Sequence, residues 1–320
     1  MKDRKENMQE ELEFDTIILG GGPAGLSAGI YASRGAVKTA IIDTNMLGGQ
    51  PSNYLELENY PSYKKIGGFD LMEKFEEHAD KFGVQKYPMQ EIEEINLTTN
   101  PKTIKTKEYN FKTKSVIIAT GASPMKLRVK GEEEFLGRGV SYCAICDGAF
   151  YKDKVVAVVG GGNSAVEEAM YLTKFASKVY IIHRRNELRA DKIIQERAFK
   201  NPKIEIVWDT VVKEIKGENT VTGIIIENIK TGERTELQTN GVFPYIGIAP
   251  NTKYINGQIT QDSKGFIITD ETMKTSVEGV YAIGDIRNTP LRQVITAASD
   301  GAISAVYAVK YIESLKEVRV

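Results

Sequence analysis

The sequence contains two cysteines, Cys143 and Cys146 of SYCAICDGAF, and Asp147 follows them at once. Such a pair serves three chemistries: half of a zinc site, inert packing, or a disulfide that opens and closes. Structural zinc needs two further ligands, usually Cys or His, and this chain offers no third cysteine and only two histidines. Packing is open to any buried thiol and asks for no spacing. A bridge does ask for it: positions i and i+3 bring both sulfurs to one side of a turn, where a helix N-terminus can lower one thiol's pKa. The redox reading is therefore carried forward. Neither His78 nor His183 is near the pair in sequence, which leaves Asp147 as the local candidate proton donor. Asp-Gly is also a common turn pair, so a turn role for Asp147 stays open.

A cycling disulfide needs an electron source, and an internal repeat points to one. Phe14 to Thr44 (FDTIILGGGPAGLSAGIYASRGAVKTAIIDT) and Lys154 to Arg185 (KVVAVVGGGNSAVEEAMYLTKFASKVYIIHRR) match at an offset of 140 residues. Each reads as a β-branched strand, a triple-glycine turn, an amphipathic helix and a second apolar strand, which is a βαβ unit. Gly20, Gly22 and Gly25 align with Gly160, Gly162 and Ala165, flanked by Pro23 and Ala24 in one copy and by Asn163 and Ser164 in the other. The first small residue permits the tight turn, the second lets backbone approach a pyrophosphate, and the third lets helix pack on strand. Two dinucleotide sites follow.

The ends of the second strands distinguish them. Eighteen residues after Gly25 stands Asp43, placed to accept from an adenosine ribose; eighteen after Ala165 stands His183, followed by Arg184 and Arg185. An acid repels a 2′-phosphate and arginines receive it, with Arg189 expected one helical turn past Arg185. The first site is expected to hold FAD or NAD and the second NADP. Nicotinamide delivers a hydride while a disulfide takes up electrons and protons at sulfur, and flavin couples the two kinds of step. The first ligand is accordingly read as FAD and the second as NADPH.

Composition bounds the partners. Lysine plus arginine number 42 against 43 acids, a net charge of -1, so there is no global attraction to nucleic acid or to an anionic membrane. The N-terminal MKDRKENMQEELEF is charged throughout, lacks the apolar core of a secretory signal, and its first dozen residues are expected to fray. No apolar run reaches the length of a membrane span. A cytoplasmic protein is expected.

Between and beyond the repeats, the sequence predicts a helix from Asp70 through FDLMEKFEEHADKFGV, a strand over 115–124, a hairpin turning at Lys230 to Glu233, and a buried helix from Gln293 to Lys316. His78 reads as surface and Trp208 as core.

The chain from residue 14 to 316 resembles the low-molecular-weight, bacterial-type thioredoxin reductases. The resemblance is carried by GGGPAG (20–25), GGQ (48–50), LENYP (57–61), ATG (119–121), CAICDG (143–148), GGGNSA (160–165), HRRNELRA (183–190) and YAIGDIRNTPLRQVITAASDG (281–301), in that order. It implies an α/β fold of two Rossmann-like dinucleotide-binding domains. The FAD domain would be discontinuous, 1–122 and 250–320, with an NADPH domain, 123–249, inserted and carrying the cysteines. It implies flavin contacts at Gly48, Gly49, Gln50, Asn59, Thr120, Gly121, Gly284, Asp285, Arg292, Gln293 and Val294. It also gives Cys146 the flavin-facing role, Cys143 the attack on thioredoxin and Asp147 the acid/base role, in a homodimer whose inserted domain swivels about Gly121 to Pro124 and Ile248 to Asn251. Ser62 and the charged N-terminal extension depart from the common pattern, off the electron path. The alternatives are a related flavoprotein with another acceptor, such as a peroxiredoxin-system reductase or a dithiol oxidase, and a catalytically silent nucleotide sensor. The peroxiredoxin-system reductase usually carries extra thioredoxin-like domains, the dithiol oxidase tends to lack the arginines present here, and the intact Cys-x-x-Cys argues against the silent sensor.

Overall fold

The computed structural model describes residues 9–53, 57, 59–255 and 257–317, without the side chain of Cys146. Both repeats fold as βαβ units. In the first, β1 (Glu10–Leu19) leads through the glycine turn into α1 (Pro23–Arg34) and β2 (Thr39–Ile42), which lies parallel to β1. The chain continues through α2 (Gly68–Lys81), β3 (Gln85–Tyr87), β4 (Ile92–Asn96), β5 (Lys102–Thr106) and β6 (Tyr109–Ile118). Helix α2 starts at Gly68, before the expected Asp70, because Gly67 supplies an extended N-cap; Leu71, Met72 and Ala79 face inward.

The strand expected over 115–124 is two strands. β6 ends at Ile118, the chain turns at Thr120–Gly121, and β7 (Ala122–Pro124) runs separately. Next come α3 (Ala144–Asp147), β8 (Val155–Gly160), α4 (Asn163–Leu172), β9 (Lys178–Ile182), α5 (Lys192–Phe199) and β10 (Ile204–Val207). They are followed by β11 (Thr210–Gly217), β12 (Val221–Asn228), β13 (Arg234–Gln238), β14 (Gly241–Tyr245) and β15 (Ile248–Pro250), then β16 (Val280–Ala282) and α6 (Val294–Glu317). The β12–β13 hairpin turns where the sequence places it, held by the Asn228 side chain accepting from the N–H groups of Lys230 and Thr231.

Contacts divide the chain into Met1–Ser123 with Ala249–Val320, and Pro124–Ile248. The chain crosses between the units in β7 and β15, which pair with each other. In the first unit the sheet order is β3-β2-β1-β6, with β16 parallel to the end of β6 and the antiparallel pair β5, β4 along its start. Alternation across this sheet makes two cores. Ile18, Ile41, Ile117 and Tyr281 pack under α1 and α6, whereas Ile17, Leu19, Ile42, Val116 and Ile118 face the opposite layer with Ile104 and Phe111. Helices α1 and α6 cross closely enough that a Cβ on Gly301 would overlap the Ala24 carbonyl, which explains the small residues expected in a buried helix there.

The expectation of a frayed first dozen fails at its end. Residues 1–8 lie outside the described residues, but Glu10 to Leu12 already pair with Tyr109 to Phe111, and Leu12 packs against the core behind the sheet, as Tyr87 and Tyr109 do.

The second unit is three-layered. Its parallel sheet, β10-β9-β8-β14, turns Val156, Val158, Val179, Ile181 and Phe243 to α3, α4 and α5. Ala157, Val159, Ile182 and Val242 face the antiparallel sheet β11-β12-β13. Trp208 is half-buried at the edge of the helix-side core and His78 is exposed. Among the described residues no helix is long and apolar enough to cross a membrane.

Candidate active site

In the first unit the glycine turn is a backbone-to-backbone contact that no side chain could enter. Gly20 holds φ +106, and a Cβ there would overlap the Ala119 carbonyl; a Cβ on Gly25 would overlap the Gly20 carbonyl. Gly22 caps α1, and Pro23 at the first helical position, with its preset φ, withholds no needed N–H. The first-turn N–H groups of α1 are thus left for an anion. Gly49 lies against Gly22, and Gly48 donates its N–H to the Gly21 carbonyl at 2.8 Å, so the GGQ segment is laid on the turn, with Gln50 exposed at its end.

Asp43 takes the Gly21 N–H on Oδ2 at 2.6 Å and the Asn45 N–H on Oδ1 at 2.8 Å. Burial pushes its carboxyl above the usual range, and the N–H groups of Gly21, Asn45 and Thr44 pull it back. Each oxygen keeps a further acceptor position.

The remaining first-unit positions come from the far end of the chain. Gly284 packs on Ala24 and donates to Asp300 Oδ2 at 3.0 Å. Asp285 is largely buried, which pushes its carboxyl up, with Arg292 opposing and Asp300 adding to the shift. No hydrogen bond to its carboxylate is made within the described residues. Arg292 lies over the Phe266 ring at 4.3 Å, and its Nε is buried without a hydrogen-bond partner. Buried polar groups left this way are ones a ligand's hydroxyl or carbonyl would satisfy. Asn59 donates to Gln293 Oε1 at 2.9 Å, Gln293 caps α6, and Val294 opens that helix. Asn251 fixes Thr120 and Gly121: its amide donates to the Thr120 carbonyl at 2.8 Å and its N–H to the Gly121 carbonyl at 3.0 Å. The glycine cradle and these orphaned polar groups fit a flavin dinucleotide.

The second unit repeats the turn with different support. A Cβ on Gly160 would overlap the Tyr245 carbonyl, and one on Gly161 would overlap the His183 ring. His183 is only 4% exposed and its Nε2 is buried without a hydrogen-bond partner. Burial holds the imidazole below its ordinary pKa; a hydrogen bond with the Glu187 backbone opposes this, and Arg189, Arg185 and Arg184 reinforce it. Arg184, Arg185 and Arg189 are exposed. Arg189 is not one helical turn past Arg185: residues 184–190 are bends and irregular backbone, and α5 begins at Lys192. Its N–H donates to the Gly161 carbonyl at 2.7 Å, which brings it to the glycine turn by a backbone route instead. Asn163 exchanges two hydrogen bonds with Asp191, at 2.8 and 2.7 Å, tying the start of α4 to the start of α5. Ser164 is exposed and Ala165 buried beneath the turn. The glycine turn and the start of α4 leave helix N–H groups free for an anion, with Arg184, Arg185 and Arg189 exposed in the segment that follows β9.

Cys143 is disulfide-bonded. It stands at the start of α3, where its carbonyl accepts the Asp147 N–H at 3.2 Å and its own N–H donates to Ser141 Oγ at 3.0 Å. The Tyr245 hydroxyl accepts the Ala144 N–H at 2.9 Å. Cys146 lies in α3, and its side chain is outside the described residues. Asp147 ends that helix, half-buried, and a 3-10 turn (Gly148–Tyr151) follows, so it closes a turn. Burial and then Asp147 push the Tyr151 phenol up to about 12. Glu132 anchors the preceding loop, accepting from the N–H groups of Leu127 and Arg128 and from the Tyr142 hydroxyl.

Sequence reasoning names Asn251 only as the end of a hinge and passes over the Arg287–Asp300 pair, Asp191, Tyr245 and Glu132. Spacing gives them no signal. Their one trace is a polar residue inside an otherwise small and apolar helix pattern, as at Asp300.

The family model for pyridine nucleotide-disulphide oxidoreductases matches residues 14–301. The thioredoxin reductase of Peptoclostridium acidaminophilum is 49% identical over 308 residues, covering 94% of this chain and 98% of that protein. That of Bacillus subtilis is 47% identical over 311 residues, with 97% and 98% covered. Among solved structures, Lactococcus lactis thioredoxin reductase superposes with a TM-score of 0.86 at 44% identity, covering 94% of this chain and 99% of that one.

Proposed function

The chain belongs to the pyridine nucleotide-disulphide oxidoreductase family, and from that premise we propose that it is a thioredoxin reductase: NADPH is the donor, FAD the bound cofactor and the disulfide of thioredoxin the acceptor. The observation that carries the reading is a disulfide at Cys143, on the unit that also bears the arginine-flanked glycine turn. FAD, when bound, supplies a carrier that accepts a hydride and hands two electrons to a disulfide.

Its binding falls to Gly20, Gly22, Pro23, Ala24 and Gly25 at the pyrophosphate and to Asp43 at the ribose. Asp285 and Arg292 would meet the polar groups beyond, with Gly48, Gly49, Gln50, Asn59, Thr120, Gly121, Gly284, Gln293 and Val294 around them. NADPH falls to Gly160, Gly162, Asn163, Ser164 and Ala165, with Arg184, Arg185 and Arg189 on the 2′-phosphate. His183 is assigned beneath the turn, as support for Gly161.

The bridge at Cys143 is assigned to Cys146, the only other cysteine. Once the bridge is reduced, the Cys143 thiolate attacks a sulfur of the thioredoxin disulfide, forming a mixed disulfide and releasing one thioredoxin thiolate. Cys146 then attacks Cys143, which re-forms the intrachain bridge and frees reduced thioredoxin. Asp147 holds the proton that the departing sulfur takes. A swivel of the inserted unit about Gly121 to Pro124 and Ile248 to Asn251 would let one cysteine pair serve both half-reactions. The same reading makes the enzyme a cytoplasmic homodimer, which light scattering on the purified protein checks.

The experiment mixes the purified yellow protein with NADPH or NADH and a panel of thioredoxins, following nicotinamide oxidation. NADPH-dependent reduction of a thioredoxin is expected, and Cys143→Ser and Cys146→Ser should each abolish it with flavin retained. Substantial turnover in either variant would sink the assignment of the pair.

A further inference from the structure

Glu168 is a buried acid that the mechanism above does not use. It lies on α4 one turn before Tyr171 and Leu172, and spacings of three and four put all three on one helix face. That face is turned to the redox segment. α3 packs on α4, and a Cβ on Gly148, the residue after α3, would meet Phe175, Tyr171 and Leu172 at 3.3–3.4 Å. The other flank of α4 belongs to α5, as the Asn163–Asp191 exchange requires. Glu168 Oε2 is buried with no hydrogen-bond partner, while the residue as a whole stays partly exposed, so a proton can reach it from water.

Among the described residues no salt bridge to Glu168 is formed; cations on this side lie over rings instead, Lys174 over Tyr171 and Lys154 over Tyr151. On its own helix it has Glu167 and Tyr171; on the redox segment, Asp147 and Tyr151; on β14, Tyr245. β8 carries no titratable side chain. On β9, Lys178 is paired with Glu205 and Tyr180 packs in the core on the other side of the sheet. Lys192, Glu196 and Arg197 of α5 are exposed.

We propose, resting on the reading of Cys143 and Cys146 as the redox pair, that Glu168 is a positioning residue that takes up a proton when the bridge is reduced and releases it when the bridge re-forms. The step balances. Two electrons from NADPH, or from an added dithiol, break the S–S bond; one proton goes to one sulfur, the other sulfur stays a thiolate, and the Glu168 carboxylate takes a second proton from water. A second negative charge is thereby not added beside the thiolate. Burial, with Glu167 adding, already pushes the Glu168 carboxyl up to about 7, so this exchange falls in the neutral range.

The test uses the full-length holoenzyme reduced with dithiothreitol and alkylated with iodoacetamide across pH 5 to 9. Coupled groups titrate in two macroscopic steps, so the native protein should show two inflections, one near pH 7. Glu168→Gln should show a single inflection at lower pH and react faster at pH 7.5, about tenfold for each pK unit of coupling. Glu168→Asp should restore the two-step profile. The native protein's reduced-minus-oxidised infrared spectrum should gain a protonated-carboxyl band that Glu168→Gln lacks. A profile unchanged in shape and position by Glu168→Gln, or a native infrared spectrum without that band, overturns the proposal. Failure of NADPH to bleach the flavin would instead count against the thioredoxin reductase reading, because the chemical reduction and alkylation use neither NADPH nor thioredoxin.

Discussion

Asp300→Asn should damage the first unit more than any change on its surface. Asp300 sits inside α6 and accepts three hydrogen bonds: Arg287 Nε at 2.7 Å, Arg287 Nη2 at 3.1 Å and the Gly284 N–H at 3.0 Å. The two charged side chains are 15% and 9% exposed, so the pair is desolvated. An asparagine keeps one acceptor but turns an NH2 toward the guanidinium, which leaves a buried cation without its counter-ion. Breaking such a pair from one side costs about 3–5 kcal/mol. At roughly 2–4 °C per kcal/mol for a domain of this size, the unfolding midpoint should fall by ~6 to ~20 °C. Since Asp300 also holds Gly284 against Ala24, flavin should leave early in the same transition. The assay is thermal unfolding of the holoenzyme, read by flavin fluorescence and far-ultraviolet circular dichroism. The double variant Arg287→Met/Asp300→Leu removes both charges and should recover most of the loss, as replaced buried pairs commonly do. A midpoint within about 2 °C of native for Asp300→Asn, below ~1 kcal/mol on that scale, would refute the reasoning. So would a double variant no better than the single one.

Three further outcomes follow from named contacts. Arg184→Gln/Arg185→Gln should raise the KM for NADPH at least tenfold and leave that for NADH nearly unchanged, because both guanidiniums are exposed at the second turn and support no buried structure; equal effects on both nucleotides would remove them from the 2′-phosphate. Glu168→Gln should stabilise the protein in a pH-dependent way. A carboxyl raised from 4.5 to about 7 leaves the folded state binding more protons than the unfolded one, so its stability is full below pH 4.5 and is lost as pH rises through 7. The neutral variant escapes that loss, by up to about 3 kcal/mol at pH 8 and by nothing near pH 4, in urea unfolding at the two pH values. Gly161→Ala should weaken nucleotide binding to the second unit, since the new Cβ meets the His183 ring, while flavin content stays native; unchanged NADPH affinity by calorimetry would show that the ring moves aside.

What could be read in the sequence is what periodicity and spacing encode. The βαβ repeats, the β12–β13 hairpin and α6 are local patterns, and each folds within a few residues of its expected place. Gly121 and Pro124 in SVIIATGASP mark a turn where the chain can leave the first domain, but local composition does not show that β6 stops as early as Ile118. What ends the strand is Asn251, from across the chain, taking the backbone groups of Thr120 and Gly121. The Arg189 error has the same origin. HRRNELRADK has helix-forming composition, but the Arg189 N–H is claimed by the Gly161 carbonyl, which holds the segment open until Asp191 caps α5. Long-range backbone partners leave no mark on local composition.

The repeat also sharpens what the ends of its second strands do. Asp43 and His183 occupy equivalent positions, and sequence reasoning assigns both to nucleotide contact. In each copy that residue turns first to the middle glycine of its own turn: Asp43 accepts the Gly21 N–H, and the His183 ring lies on Gly161. A carboxylate can do this and still offer lone pairs to a ribose. In a buried imidazole flanked by three arginines, burial and those arginines disfavour the charged form, against a hydrogen bond with the Glu187 backbone. On the proposed function, recognition in the second copy passes to the next residues along, Arg184 and Arg185, which the same register leaves exposed. One substitution at the strand end thus sets how the turn is braced and, on the proposed function, which neighbouring side chains are left to meet the ligand. Exchanging the pair as a block, His183→Asp together with Arg184→Thr and Arg185→Asn after the pattern of Asp43, Thr44 and Asn45, should keep the turn braced through the Gly161 N–H and shift preference from NADPH toward NADH. A variant that binds neither nucleotide would show that the imidazole is indispensable to the turn itself.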